Sequence, residues 1–168
     1  MGYRQAKPAR VLNTAGRSTI HISNASKSVV KIQRLTEANA SLLSQVADGV
    51  FDHPIIPSSL HEFIACPRHV MMLAVDDGQV IGMASGVEYF HPDKQRQFWI
   101  NEIGVTPKRQ RQGIGQQLLE SLLDQARQRQ CNVAWLGTET SNIAAIRCYS
   151  KVPDGESSKD FVMYEWKL

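Results

Sequence analysis

The sequence predicts a single α/β domain, and three observations carry that reading. From residue 29 onward, short apolar runs with strand character alternate with segments of helical spacing. Two apolar runs, residues 71–75 and 80–87, are separated by Asp76-Asp77-Gly78-Gln79, whose Asp-Gly pair marks a hairpin turn. After Gly113, the apolar residues Ile114, Leu118, Leu119, Leu122, Leu123 and Ala126 recur at three- and four-residue spacings against a face of Gln, Glu, Asp and Arg, the stripe of a helix buried on one side.

The remaining elements follow from the same patterns. Residues 29–35 alternate around Val30 and Ile32 as a first strand, and residues 37–47 read as a helix. Pro57-Ser58-Ser59 signals the start of a second helix over residues 58–65. Residues 97–105 form the strand that feeds the helix after Gly113; residues 132–137 are a further strand, 142–151 a helix and 161–168 a final alternating strand.

Composition limits the function. At 168 residues with 42% apolar content, the chain can bury a core without disulfides, and no apolar run nears the roughly 20 residues that span a bilayer. Cys66, Cys131 and Cys148 lack C-x-x-C pairing and leave an odd count, which suits free thiols in a reducing cytoplasm. The five histidines show no metal-ligand spacing, so no metal site is expected. Residues 1–27 hold Arg4, Lys7, Arg10, Arg17 and Lys27 and no acid; they lack a secretory core and read as a flexible basic leader before a domain over residues 28–168. Of 19 Lys and Arg, 14 then remain against 16 acids, so the domain carries −2 although the chain carries +3. That balance argues against a nucleic-acid partner.

The most informative segment is Asn101-Glu102-Ile103-Gly104-Val105-Thr106-Pro107-Lys108-Arg109-Gln110-Arg111-Gln112-Gly113-Ile114-Gly115. A strand ends at a proline, becomes a basic glycine-containing loop and opens a helix, which presents free amides and a positive dipole end to a phosphate. Gly113 and Gly115 allow close backbone approach, and Lys108, Arg109 and Arg111 are placed to meet the remaining charge.

Two blocks resemble the GNAT superfamily of N-acetyltransferases. Gln110-Arg111-Gln112-Gly113-Ile114-Gly115, preceded by Val105 and Pro107, matches its glycine loop; Asn142, Ala145, Tyr149 and Lys151 match a second block about 30 residues later. The resemblance covers residues 29–168 and implies a central mixed, mostly antiparallel sheet of about six to seven strands flanked by about four helices. It also implies acetyl-CoA as donor, held by Ile103, Gly104, Val105, Gln110, Arg111, Gln112, Gly113, Ile114, Gly115, Asn142, Ala145 and Tyr149, with pantetheine beside Ile103 and Val105 like an added strand. A homodimer is a reasonable expectation on the same ground. The chain departs from the family after the tyrosine, where Ser150-Lys151-Val152-Pro153-Asp154-Gly155 replaces the usual Gly-Phe pair.

Acetyl transfer from a thioester to an amine needs an unprotonated amine and a protonated leaving thiolate. Tyr149 suits the second task, because a phenol is neutral at pH 7 and can donate. Glu102 suits the first as base, its alternative being an anion that orients the substrate without moving a proton; Glu139 is the competing carboxylate. Asn142 caps the helix or reaches the cofactor. Residues 50–54, 89–94 and 162–166 are similar to the aminoglycoside 3-N-acetyltransferase branch, which implies an aminosugar acceptor; the alternatives are a polyamine, another small amine or a protein N-terminus as acceptor, or a non-catalytic acyl-CoA-binding module on the same fold. A cationic acceptor wants carboxylates, and Asp52, Glu88, Asp93, Glu102, Glu139, Asp154 and Glu156 lie on elements that could border its cleft. Asp52, Tyr89, Glu102 and Glu139 are the expected substrate contacts.

Overall fold

The computed structural model describes residues 29–158 together with residues 163, 164, 166 and 167. Five strands form one sheet in chain order: β1 (Lys31–Arg34), β2 (His69–Asp76), β3 (Gln79–His91), β4 (Lys94–Val105) and β5 (Val133–Trp135). Neighbours are antiparallel as far as β4, and β5 runs parallel to β4. A 3-10 helix over Glu37–Ser44 and the helices α1 (Pro57–Ala65), α2 (Ile114–Gln128) and α3 (Ile143–Tyr149) complete the layers. The fold class is the one expected, with five strands among the described residues instead of six to seven. The leader at 1–27 lies outside the described residues, as does half of the strand expected over 161–168, whose described residues 163, 164, 166 and 167 are not in a strand.

The period of two in β2 divides the core. Val70, Met72 and Ala74 join Ile114, Leu118, Leu119, Leu122 and Ala126 of α2 on one face. Leu73 and Val75 join Leu35, Val50, Val80 and Met83 on the other, beneath the 3-10 helix and α1. Leu118 and Leu122 are fully buried, and truncating either to alanine would cost about 2–5 kcal/mol.

Asp77 and Gly78 turn β2 into β3 with φ of 47° and 77°, the two positive values that a tight two-residue hairpin requires. Three elements differ from expectation. The helix expected over 37–47 is a 3-10 helix that stops at Ser44, because Val46 leaves to bridge Val80, with Ala47 N–H donating to Val80 O at 2.9 Å and Val80 N–H to Gln45 O at 2.8 Å. Strands β3 and β4 extend as far as His91 and Lys94, a second hairpin whose ends are tied across by Tyr89 and Gln97. Finally, β5 keeps only Val133–Trp135 of the expected 132–137.

Glu88 corrects another expectation. It is buried, accepts from Arg96 at 2.7 Å and from Arg129 at 3.1 Å, and so is neutralised inside the protein. Arg129 also donates to Pro67 O at 2.8 Å, tying the end of α2 to the entry of β2. A carboxylate with two guanidinium partners has no free charge to offer a cationic substrate. Asp93 likewise pairs with His91 at the tip of the second hairpin. Among the described residues no helix is long and apolar enough to cross a membrane.

Candidate active site

The site begins with a change of phase in β4. Opposite β3, Gly86 faces Ile100 but Ser85 faces Glu102, so Asn101 is the extra residue of a β-bulge. Before it, Phe98 and Ile100 enter the core under α2; after it, Ile103 and Val105 pack against that same core. Three residues instead of two thus separate the inward sets. Glu102 and Gly104 are turned to the opposite face of the sheet, where a Cβ on Gly104 would come within 2.2 Å of Val50 O. Gly104 is therefore required by packing against the backbone of Val50, whatever ligand it meets.

The bulge also ends pairing with β5, which matches β4 only at Gln97, Phe98 and Trp99. Beyond that point β4 is bonded on one side. Thr106 N–H donates to Ile81 O at 3.0 Å across β3; by alternation, Gly104 also faces β3, while the N–H and C=O groups of Ile103 and Val105 face the open side. An extended chain of amides, such as pantetheine, fits such an edge. Gln110 Nε2 already donates to Val105 O at 3.0 Å, drawing the loop back over the end of the strand.

After Thr106 the chain makes one 3-10 turn, Pro107–Arg109, and reaches α2 through two residues in the left-handed region, Arg111 at φ 60° and Gly113 at 82°. The first bond of α2 is Gln117 N–H to Gly113 O at 3.0 Å. The amides of Ile114, Gly115 and Gln116 consequently have no acceptor within the helix and lie at its positive end, a donor set that fits a pyrophosphate. The two glycines do different work. Gly113 supplies a backbone conformation, whereas a Cβ on Gly115 would stand 3.3 Å from Cys148 Sγ, so its bareness lets α3 close on α2.

The cations of the loop also divide. Arg109 pairs with the buried Asp76 at the end of β2 and donates from Nε to Gln112 Oε1 at 3.1 Å. It is already engaged, against the expectation that it answers phosphate. Lys108 and Arg111 are exposed, with no ion pair among the described residues.

Asn142 caps α3, its Oδ1 accepting from Ala145 N–H at 3.1 Å, so these two residues meet each other first. Tyr149, at the end of α3, is half-buried against the core under α2. Burial, and then the neighbouring Cys148 thiol, push its phenol above the ordinary value, which keeps the proton on at neutral pH. The altered turn after it places Val152 in the core, with Val152 N–H donating to Tyr149 O at 3.1 Å.

On the opposite face of the sheet, Glu102 borders a cleft of about 350 Å³ together with Asp52, His53, Leu43, Phe51, Leu60, Phe63 and Met71. Burial first, and the Asp52 carboxylate second, push the Glu102 carboxyl above its ordinary range. Asp52 and Glu102 are thus brought together as expected. Tyr89 is not: its O–H donates to Gln97 Oε1 at 2.7 Å in the second hairpin. Glu139 is exposed before α3, accepting from Ser141 Oγ at 3.1 Å, and is also outside the lining. The apolar wall was missed from sequence. Leu60 and Phe63, three apart on α1, carried the signal, but a short helix stripe reads as core.

Residues 40–152 match the acetyltransferase (GNAT) family. The chain is 32% identical over 125 residues to the N-alpha-acetyltransferase RimI of Mycobacterium tuberculosis, covering 73% of this chain and 77% of that protein. It is 41% identical over 56 residues to the ribosomal protein bS18 alanine N-acetyltransferase of Escherichia coli, a match over 33% of this chain and 38% of that protein. Among solved structures, an aminoglycoside acetyltransferase from an uncultured soil metagenomic sample superimposes with a TM-score of 0.71 at 18% identity, covering 83% of this chain and 96% of the other. An aminoglycoside N-acetyltransferase AAC(6')-Iy in complex with CoA gives 0.65 at 17% identity, covering 84% and 97%. The chain belongs to the acetyltransferase (GNAT) family and is an N-acetyltransferase that uses acetyl-CoA.

Proposed function

We propose that the protein acetylates the α-amine of a peptide or protein N-terminus. The observation that carries this reading is the make-up of the cleft, which has two carboxylates, Asp52 and Glu102, set in a wall that includes Leu43, Phe51, Leu60, Phe63 and Met71. That suits one cationic amine carried on a partly apolar body. A polyhydroxylated polycation would call for more charge and fewer hydrocarbon walls, and Glu88 and Asp93, which could have added that charge, are paired elsewhere. An α-amine, with a reference pKa of about 8, also loses its proton more readily than a lysine at about 10.4, which matches a carboxylate base raised above its usual range. The similarity to RimI supports the same class.

Bound acetyl-CoA supplies the thioester acyl group. Lys108, Arg111 and the amides of Ile114, Gly115 and Gln116 hold its phosphates, and the backbone of Ile103 and Val105 aligns its pantetheine. Glu102 Oε would take the proton of the entering amine, Asp52 would draw the ammonium form into the cleft, and the Tyr149 hydroxyl would give its proton to the coenzyme A thiolate that the amine nitrogen displaces from the acyl carbon. A possible homodimer and the engagement of Asn142 with the cofactor belong to the same proposal.

A second reading, an aminoglycoside acceptor modified at its 3-amino group, is favoured by the adjacency of Asp52 and Glu102, which can meet two ammonium groups of one molecule. Thiol release from acetyl-CoA with short peptides of varied first residue, set beside a gentamicin-like panel and polyamines, tests the two. Peptides are expected to exceed aminosugars in kcat/KM by about tenfold or more. Preferred turnover of aminosugars, with the product acetylated at the 3-amino group, would replace the first reading by the second.

A further inference from the structure

The ion pair between Arg109 and Asp76 lies outside the chemistry described so far, although it begins in the loop that precedes α2. Asp76 is only 8% exposed and closes β2, 33 residues before its partner. The Arg109 guanidinium meets this buried carboxylate from the loop, so the side chain is engaged on the sheet side before any ligand arrives. The same Arg109 donates to Gln112 Oε1 at 3.1 Å, while Gln112 Nε2 donates to Lys108 O at 3.4 Å and Gln110 Nε2 to Val105 O at 3.0 Å. The loop is thereby closed on itself and fastened to the first hairpin of the sheet.

Resting on the reading of this loop as the pyrophosphate site, we propose that Asp76 and Arg109 are positioning residues for coenzyme A. The pair braces the loop so that the amides at the start of α2 stand ready for the phosphates, and Arg109 itself is not a phosphate ligand. Order set in advance lowers the conformational cost of binding. Its effect is confined to ligands that reach the loop.

Calorimetric titration of the full chain with coenzyme A and with pantetheine, which lacks the pyrophosphate, reads this directly. Asp76→Asn is expected to weaken coenzyme A by roughly 5- to 10-fold while leaving pantetheine within about twofold. Arg109→Gln should do the same, and the double variant should be no weaker than the weaker single, as for residues acting as one unit. Arg109→Lys, which keeps a charge opposite Asp76, should recover coenzyme A binding to within about threefold of the parent protein. Should Asp76→Asn fail to fold, Asp76→Ser, which also removes the carboxylate opposite Arg109, takes its place with the same outcomes. Unchanged or tighter coenzyme A binding in Asp76→Asn would overturn the brace, since a released Arg109 would then be meeting phosphate. Equal losses for both ligands would overturn it as well, because general loosening of the domain has that result. A parent protein that binds both ligands alike would instead remove the pyrophosphate reading of the loop, and the brace with it.

Discussion

The two halves of β4 carry opposite solutions to the same problem, a glutamate or its neighbour set into a sheet. In the first half, β4 is paired with β3 on one side and β5 on the other, and the adjacent Glu88 is neutralised by Arg96 and Arg129. In the second half, among the described residues, β4 is paired on one side only and Glu102 meets no cation but the like charge of Asp52. The closed half is built for stability and the open half for chemistry. One residue, Asn101, separates them: its bulge lies just beyond the last residue paired with β5, and past it Glu102 faces away from the core under α2.

Deleting Asn101 should break this division most completely. With the extra residue gone, Glu102 keeps its face and Ile103 its place in the core, but the bend that the bulge puts into β4 is lost and Glu102 is displaced along the strand, so turnover should fall by about 10²-fold even where the protein folds, given the cost of misplacing a reacting group. Residual rate above that level, measured by thiol release on protein with an intact circular dichroism spectrum, would mean that the bulge does not aim Glu102.

Glu88→Ala attacks the closed half and should leave Arg129 buried without its carboxylate. A loss of about 3–5 kcal/mol in denaturant unfolding is expected, with kcat little changed in whatever protein remains folded. Tyr149→Phe does the reverse, lowering kcat by about 10²-fold without comparable loss of stability. A wild-type rate in that variant would remove the tyrosine as proton donor.

Asp52→Asn gives the smallest effect and the finest test. In the proposed mechanism Glu102 serves as base only when ionised, so the rate should fall as pH drops through its raised pKa. Removing the Asp52 charge lowers that pKa and should move the acid limb of kcat/KM to lower pH. The same raised value has a cost in stability. A carboxyl that titrates higher in the folded than in the unfolded state disfavours folding once the pH rises past it, so Glu102→Gln should melt higher than the parent at neutral pH, with the gain vanishing below the unfolded pKa. An acid limb that stays in place in Asp52→Asn would separate the two carboxylates.

Much of this was legible in the sequence where the signal was short-range. The stripe of α2, the Asp77-Gly78 turn and the run from Gln110 to Gly115 each depend on residues a few positions apart, and each element formed where expected. Asp52 and Glu102 were both chosen as substrate contacts and share one cleft. The fate of Glu88 was not legible, because its second partner Arg129 lies 41 residues away. Nor was the early end of the first helix, which is settled by a bridge between Val46 and Val80. Arg109 looked like any other cation of the loop until Asp76 was seen beside it.

Local chemistry therefore determined the loop before α2: a glycine in the left-handed region and a helix start leave amides free, and the proposed phosphate cradle needs little more, because backbone sterics and the helix dipole act over one turn. Tertiary structure alone decided the acceptor side. Whether a carboxylate in a strand becomes a buried brace or a base depends on which face it points to and which charges cross the sheet to meet it. At Glu102 the face can be assigned only once β4 is laid against β3, where Asn101 proves to be the extra residue that shifts the phase of the strand.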